Sequence, residues 1–363
     1  MRICVVASHS GGHLFPAYSF AKEFVKAYPQ AKVYLLTTKK GHRFSRRFEE
    51  GIFSGFQFQC DYRSAPKNTW ERFLFLMQLP QAFFSSFCFL VKIRPELCLG
   101  FGGFVSLFPL WLSRWMGIPT FIHEQNRLPG KASRWLAGTV DCVCDSFPDT
   151  RWQSTPRTLV TTGLPVRYSV SNSHKASKVG QPIQLLIFGG SQGAHTLNRL
   201  VMAAMAGLSR EERGKIAVNH IAGDTDYEWI VSMYDELGIR ASVWKFFELM
   251  GDLYEQADMA VTRAGANTLF ELALFKVPAI VIPYPYAEAH QFENASFFAQ
   301  ANAIVLKEER GLAGKGLLED IRNLWRDNAL RERLSANIGT LADGDASEKL
   351  VRFVVHRLKK VRS

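Results

Sequence analysis

Short runs of consecutive apolar residues recur along the chain, each followed by a polar or glycine-bearing turn. Residues 3–7, 32–37, 96–100 and 120–124 read as strands of this kind, and residues 16–27 as the first helix. Continuous apolar runs of four to six residues suit strands covered on both faces of a parallel sheet. The pattern becomes polar over 168–181, rich in Ser and Lys over 171–180, which reads as an exposed linker. It then restarts with a strand at 183–188, a glycine turn and a helix from about Ala194, followed by strands at 217–222, 259–262 and 279–282. The expected fold class is therefore α/β, with two doubly wound parallel-sheet domains. The first is 1–165 and the second 166–344. An amphipathic basic helix over 348–361, within a tail of about 345–363, packs back on the first.

The stretch 70–94, WERFLFLMQLPQAFFSSFCFLVKIR, has six Phe, and Pro80 interrupts it. Its uninterrupted apolar runs fall short of the ~20 residues a spanning helix needs. It reads either as a buried helix pair or as an interfacial patch, with Arg72, Lys92 and Arg94 on lipid head groups and Trp111, Arg114 and Trp115 extending it. Charge supports an anionic partner for this half. Residues 1–165 carry 20 Lys+Arg against 10 Asp+Glu, residues 166–348 carry 18 against 23, and residues 349–363 carry 6 basic residues and no acidic one. Nucleic acid, anionic lipid and an acidic small substrate all fit that sign. With 47% hydrophobic and 21% charged residues, the chain can bury two sizeable cores. Cys4, Cys60, Cys88, Cys98, Cys142 and Cys144 form no C-x-x-C pair and read as reduced core residues. Met1-Arg2 leads straight into the first strand with no opening signal peptide, which suits a cytoplasmic setting.

Five stretches carry candidate chemistry. Ser8-His9-Ser10-Gly11-Gly12-His13 joins a strand to a helix start, where backbone can approach an anion or simply turn tightly. Gly189-Gly190-Ser191-Gln192-Gly193-Ala194 repeats that arrangement and is neither a Walker loop nor G-x-G-x-x-G, so kinase and dehydrogenase readings lose ground. In 262–271, Glu271 lies two helical turns beyond Gly265, as a ribose ligand or on a solvated face. His290-Gln291 opens another helix after Pro283-Tyr284-Pro285. His123-Glu124-Gln125-Asn126 sits at a strand's carboxyl end, where open α/β sheets bind ligands.

Together these stretches resemble the MurG family, which transfers N-acetylglucosamine from UDP-N-acetylglucosamine to undecaprenyl-pyrophosphoryl-N-acetylmuramyl-pentapeptide in peptidoglycan synthesis. GGH-x-FPA at 11–17, GGFVS at 102–106, HEQN at 123–126, LPVR at 164–167, GGSQGA-x-x-LN at 189–198 and the 263–271 stretch all match, in order. The resemblance implies a GT-B fold of two Rossmann-like lobes with the donor in the cleft, mostly on the second lobe. It implies His13 as base or positioning group, with Glu124 and Asn126 assisting. It assigns the acceptor diphosphate to Ser10, Gly11, Gly12, Gly103 and Phe104. Ser191, Gln192 and Gly193 would hold the donor diphosphate, Phe246 and Phe247 the uracil, and Glu271 the ribose. Arg167, Asn198 and Gln291 would also serve the donor. No metal or cofactor is implied, and the enzyme would sit peripherally at the cytoplasmic face of the cell membrane.

The chain departs from the family at Ser8-His9-Ser10, where Gly-Gly-Thr is usual, and at Phe104, Ala264 and His290, where Tyr, Ser and Gln are usual. Other readings are a transferase for another polyprenyl acceptor, a UDP-sugar 2-epimerase of similar fold, and a nucleotide-sugar sensor. The epimerase needs no membrane patch, and the sensor leaves His13, Glu124 and Asn126 without a task. Nucleic-acid binding explains the charge but not the anion-binding turns, so nucleic acid is not expected as a partner.

Overall fold

The computed structural model describes residues 1–45, 51–59, 69–153, 155–168, 181–190, 194–285 and 289–362. The apolar runs build two all-parallel sheets. The first holds β1 (Arg2–Val6), β2 (Lys32–Thr38), β3 (Gly55–Gln59), β4 (Leu97–Gly100), β5 (Thr120–Glu124), β6 (Cys142–Asp145) and β7 (Leu159–Thr161), in the order β3-β2-β1-β4-β5-β6-β7. The second holds β8 (Ile183–Phe188), β9 (Ile216–Ile221), β10 (Arg240–Trp244), β11 (Met259–Thr262), β12 (Ala279–Val281) and β13 (Val305–Leu306), in the order β10-β9-β8-β11-β12-β13. In each, the strand that opens the domain is central and the order reverses beside it, between β1 and β4 and between β8 and β11. Such a reversal point is where open α/β sheets bind ligands.

The helices of the first half are α1 (Gly11–Ala27), α2 (Lys39–Ser45), α3 (Thr69–Ile93), α4 (Leu107–Trp115) and α5 (Lys131–Leu136). The second half carries α6 (His195–Ala206), α7 (Arg210–Gly214), α8 (Tyr227–Leu237), α9 (Met250–Gln256), α10 (Ala266–Leu274), α11 (His290–Gln300), α12 (Gly314–Arg326) and α13 (Asn328–Gly339), and α14 (Ala346–Arg362) closes the chain. Two compact units result: Met1–Arg167 with Gly344–Ser363, and Tyr168–Asp343. Alternation along the strands separates the layers of the first. Ile3 and Val5 pack with Leu14 and Phe20 of α1 and with Leu350, Val354 and Leu358 of α14. Cys4 and Val6 pack on the other face with Leu90 of α3 and Leu110 and Leu112 of α4. In the second unit Leu185 and Ile187 pack with Leu197 and Val201 of α6 and Ile321 of α12.

Several expectations change. Helix α1 begins at Gly11 rather than Pro16, because the Ser10 carbonyl already accepts from the N–H groups of His13 and Leu14 at 3.1 and 3.0 Å. Pro16 then lies inside the helix, where its missing N–H costs one bond. Pro80 likewise does not split α3, which runs as one helix of 25 residues. Its segment Leu76–Ile93 is, by length and composition, apolar enough to cross a membrane, contrary to the reading from uninterrupted runs, and only 28% of it is buried. Cys88 on α3 is exposed, so it is not a core residue, whereas Cys4, Cys98, Cys142 and Cys144 are buried and free. Cys60, most of the 168–181 stretch and the side chain of Arg72 lie outside the described residues. Tyr168 is no linker residue: its ring packs 6.2 Å from Tyr254 and 5.7 Å from Phe275.

Leu350 of α14 is fully buried against α1 and the sheet. Leu350→Ala is expected to cost about 2–5 kcal/mol, as core leucine truncations do. Thermal unfolding of the full chain would show it as a lowered Tm.

Candidate active site

In the first unit the site grows from the turns that leave β1, β4 and β5. Ser10 is the N-cap of α1, with extended φ −76° and ψ 147°, yet its side chain makes no cap hydrogen bond. Its Oγ lies 2.8 Å from His13 Nδ1 instead. The β4 turn presses against this pair. Gly102 and Gly103 have φ of 85° and 77°. A Cβ on Gly102 would sit 3.0 Å from His13 Cδ2 and 3.1 Å from Nε2, and one on Gly103 would sit 2.6 Å from Ser8 Cβ. Only glycine meets both demands. The structure thus brings Ser10, Gly11, Gly12, His13 and Gly103 together. Phe104 follows in a one-turn 3₁₀ helix, its ring 6.3 Å from the exposed Trp135. If Nδ1–H of His13 donates to Ser10 Oγ, Nε2 is left to accept a proton.

Beyond β5, Glu124 is 2% exposed. Its Oε1 accepts from the backbone N–H and side-chain amide of Asn126, at 2.9 and 3.1 Å. Its Oε2 accepts from the Gly130 N–H at 3.2 Å, at the N-cap of α5. This carboxylate ties the loop down. His123 is fully buried, with Nε2–H donating to the Gly163 carbonyl at 3.0 Å and Nδ1 accepting from the Gln125 amide at 3.2 Å. Burial lowers its pKa from 6.5 to about 4, with the Gly163 bond acting weakly against it. The guanidinium of Arg167 lies 4.0 Å over the Phe15 ring of α1.

In the second unit the turn after β8 is as tight. A Cβ on Gly189 would lie 2.3 Å from Ala194 Cβ, and Gly190 has φ 92°. Ser191, Gln192 and Gly193, the centre of the expected diphosphate turn, lie outside the described residues. Asn198, expected on the donor side, lies on α6. It is fully buried, donating to the Ala222 carbonyl at 2.9 Å and Asp226 Oδ2 at 2.7 Å and accepting from His220 Nε2 at 3.2 Å. Both ends of the amide thus bond within the second unit. His220, whose Nδ1 accepts from the Tyr234 hydroxyl at 3.0 Å, has its pKa lowered by burial to about 3.

Glu271 is 5% exposed on α10, which removes the solvated-face reading, and its Oε2 accepts from the Tyr254 hydroxyl at 2.8 Å. Gln291 Oε1 accepts from the Ala264 and Tyr284 backbone N–H groups at 3.2 and 2.8 Å, which makes Nε2 the donor end of the amide. The buried Arg263 donates to the Ile282 carbonyl at 3.1 Å and pairs with Glu309, fixing the loop that carries Tyr284. Phe246 and Phe247 follow β10 half-buried, Phe247 4.8 Å from Trp244. Sequence reasoning missed Tyr254, Asp226, Gln125 and Gly163 as supports. Gln125 stands inside the HEQN stretch without an assigned role, and the partners of the other three lie 17 to 40 residues away along the chain.

Residues 3–144 match the glycosyltransferase family 28 N-terminal domain and residues 184–350 the glycosyltransferase family 28 C-terminal domain. The UDP-N-acetylglucosamine–N-acetylmuramyl-(pentapeptide) pyrophosphoryl-undecaprenol N-acetylglucosamine transferase of Desulfotalea psychrophila is 37% identical over 352 residues, 96% of this chain and 95% of that protein. Its counterpart of the same name in Geobacter sulfurreducens is 32% identical over 369 residues, 99% of this chain and 100% of that protein. The crystal structure of Acinetobacter baumannii MurG matches with a TM-score of 0.77 at 26% identity, over 98% of this chain and 99% of that one. A UDP-N-acetylglucosamine 2-epimerase matches with a TM-score of 0.68 at 12% identity, over 100% and 98%, a likeness of fold alone.

Two parallel sheets of this topology, with glycine turns at the carboxyl ends of their central strands, define a GT-B glycosyltransferase of family 28. Identity at this level over nearly the whole chain narrows that class. The chain belongs to the MurG family.

The neutral rings of His123 and His220 set a pH window for stability. Their folded-state pKa values lie below the ordinary 6.5, so the unfolded chain takes up protons first as pH falls. The stability they contribute is fully present above about 6.5 and is lost progressively toward about 4 for His123 and about 3 for His220. Thermal unfolding scanned across that range should show a falling Tm, with a shallower fall in His220→Gln.

Proposed function

We propose that this chain transfers N-acetylglucosamine from UDP-N-acetylglucosamine to N-acetylmuramyl-(pentapeptide) pyrophosphoryl-undecaprenol, with inversion at the sugar C1. The observation that carries this reading is the match, across both units, to relatives bearing that name. His13 is the base. Ser10 holds Nδ1, and Nε2 takes the proton of the acceptor C4 hydroxyl as its oxygen bonds to C1. The bond from C1 to the β-phosphate oxygen breaks with its electron pair going to UDP. The glycine turn at Ser10, Gly11, Gly12 and Gly103, with Phe104, receives the acceptor diphosphate through backbone N–H groups. Glu124 and Asn126 act through the loop they brace.

On the donor side, Ser191, Gln192 and Gly193 with the N-terminus of α6 hold the diphosphate, and Arg167 adds positive charge. Phe246 and Phe247 flank the uracil. Glu271, oriented by Tyr254, accepts from the ribose hydroxyls, and Gln291 donates through Nε2 to the sugar. The first unit is accordingly the acceptor lobe and the second the donor lobe. Labelled sugar should pass from UDP-N-acetylglucosamine to purified lipid-linked muramyl-pentapeptide. His13→Ala should lower kcat by about 10²–10⁴-fold, the range for a general base, with UDP binding retained. Unchanged turnover in that variant would remove the base assignment, and no transfer by the native protein would remove the acceptor.

The same reading puts the enzyme peripherally on an anionic membrane at its cytoplasmic face. Trp70, Phe73, Leu76, Met77 and Phe84 of α3 are exposed, as are Trp111 and Trp115 of α4, with Trp115 75% exposed. Phe83 joins the two helices, 6.3 Å from Trp111. Lys92 and Arg94 are exposed at the end of α3, while Arg114 is held 3.5 Å from Asp141. Aromatic and aliphatic groups edged by basic ones suit a lipid interface. Trp111→Ala/Trp115→Ala should weaken sedimentation with anionic vesicles about tenfold or more, the area term for two indoles, and leave UDP binding unchanged. Equal sedimentation of variant and native protein would refute the patch.

A further inference from the structure

Gln125, the first residue after β5, is 2% exposed, and the donor end of its amide is fully committed. Nε2 donates to the His123 carbonyl at 2.9 Å and to His123 Nδ1 at 3.2 Å. A carbonyl can only accept, so the amide cannot be turned end for end. Nδ1 is free to accept because the neutral ring carries its proton on Nε2, which donates to the Gly163 carbonyl at 3.0 Å. The orientation of the amide is thus dictated by His123, and the position of Oε1 follows from it. A Cβ on Gly102 would lie 3.6 Å from that oxygen and 3.1 Å from His13 Nε2, so the two atoms flank one glycine. Oε1 accepts no hydrogen bond among the described residues. An acceptor on so buried a side chain is costly to leave without a donor, and water or a ligand must supply one.

The acceptor's own chemistry decides which donor can reach it. When the C4 hydroxyl meets His13 Nε2, the substituents on C3 and C5 are the next atoms along the sugar ring. On an N-acetylmuramyl unit C3 carries the lactyl ether, which has no proton to give. C5 carries the C6 hydroxymethyl group, whose hydroxyl can donate. We propose that Gln125 reads the acceptor sugar, its Oε1 accepting from the C6 hydroxyl of the muramyl unit while C4 faces His13. The inference rests on the acceptor site proposed above and adds a specificity residue to it. No bond is made or broken at Gln125. The contact holds the ring on the side away from the lactyl peptide, and so fixes which hydroxyl the base meets. A side chain at Gly102 would crowd both atoms at once.

Transfer by the full chain to the lipid-linked muramyl-pentapeptide and to its 6-deoxy analogue tests this. The native protein should use the 6-deoxy acceptor about tenfold less well in kcat/KM, the scale of one hydrogen bond to a buried acceptor. Gln125→Met, which keeps the length without the carbonyl, should lose about tenfold on the normal acceptor and little on the 6-deoxy one. Its preference between the two should therefore vanish. Gln125→Asn, which keeps the amide but withdraws it by one carbon, should behave alike and serves where the Met variant does not fold. UDP binding should be unchanged in both. Equal use of the two acceptors by the native protein would overturn the inference. So would a variant that loses activity yet keeps the full preference, because Gln125 would then only brace His123. Transfer to neither acceptor by the native protein would remove the acceptor reading itself, and the inference with it.

Discussion

The first unit depends on two backbone turns being close enough to touch. β1 and β4 are hydrogen-bonded neighbours, so the turns that leave their carboxyl ends must share a space about one strand spacing wide. A side chain at Gly102 would strike the His13 ring and one at Gly103 would strike Ser8. Both glycines also hold a left-handed backbone. That double requirement sets where the imidazole can lie, and Ser10 gives up its capping role to orient it. The first turn of α1 accordingly goes without a side-chain cap.

The second unit meets the same constraint at Gly189 and then does something different beneath it. Asn198, Asp226 and His220 are buried under the turn, where an unpaired polar group would be costly. Each is matched donor to acceptor, and His220 stays neutral because its desolvation outweighs the nearby Asp226 charge. A network that is fully paired is stiff, and this one ties the first turn of α6 to the β9 to α8 loop. Glu271 is held in the same manner by the Tyr254 hydroxyl, and Gln291 by two backbone N–H groups.

Coverage of the first sheet explains which large side chains stay outside the core. One face is closed by α1 together with α14, whose Leu350, Val354 and Leu358 bury themselves in that layer. The other is closed by α3 and α4, which spend Leu90 and Leu110 on the core and leave Trp70, Phe73, Trp111 and Trp115 outside it. Both helices thus carry large apolar side chains on their exposed as well as their buried sides.

The strand runs, their glycine turns and the restart after residue 181 are local patterns, and they predict both sheets because buried parallel strands need continuous apolar sequence. The match of motifs in order likewise marks the family. Pro16 and Pro80 mislead locally, since a helix whose flanking turns and packing are favourable tolerates one missing hydrogen bond. What the amide of Asn198 meets is set by the β9 to α8 loop, 24 and 28 residues away along the chain. The partners of His123, Glu271 and His195 lie 40, 17 and 31 residues away along the chain. Residue type and spacing determined the fold and the positions of its turns. Which buried polar groups serve as framework, and which edges face outward to act, was decided by the tertiary structure, because hydrogen-bond satisfaction depends on what packing brings within 3 Å or so.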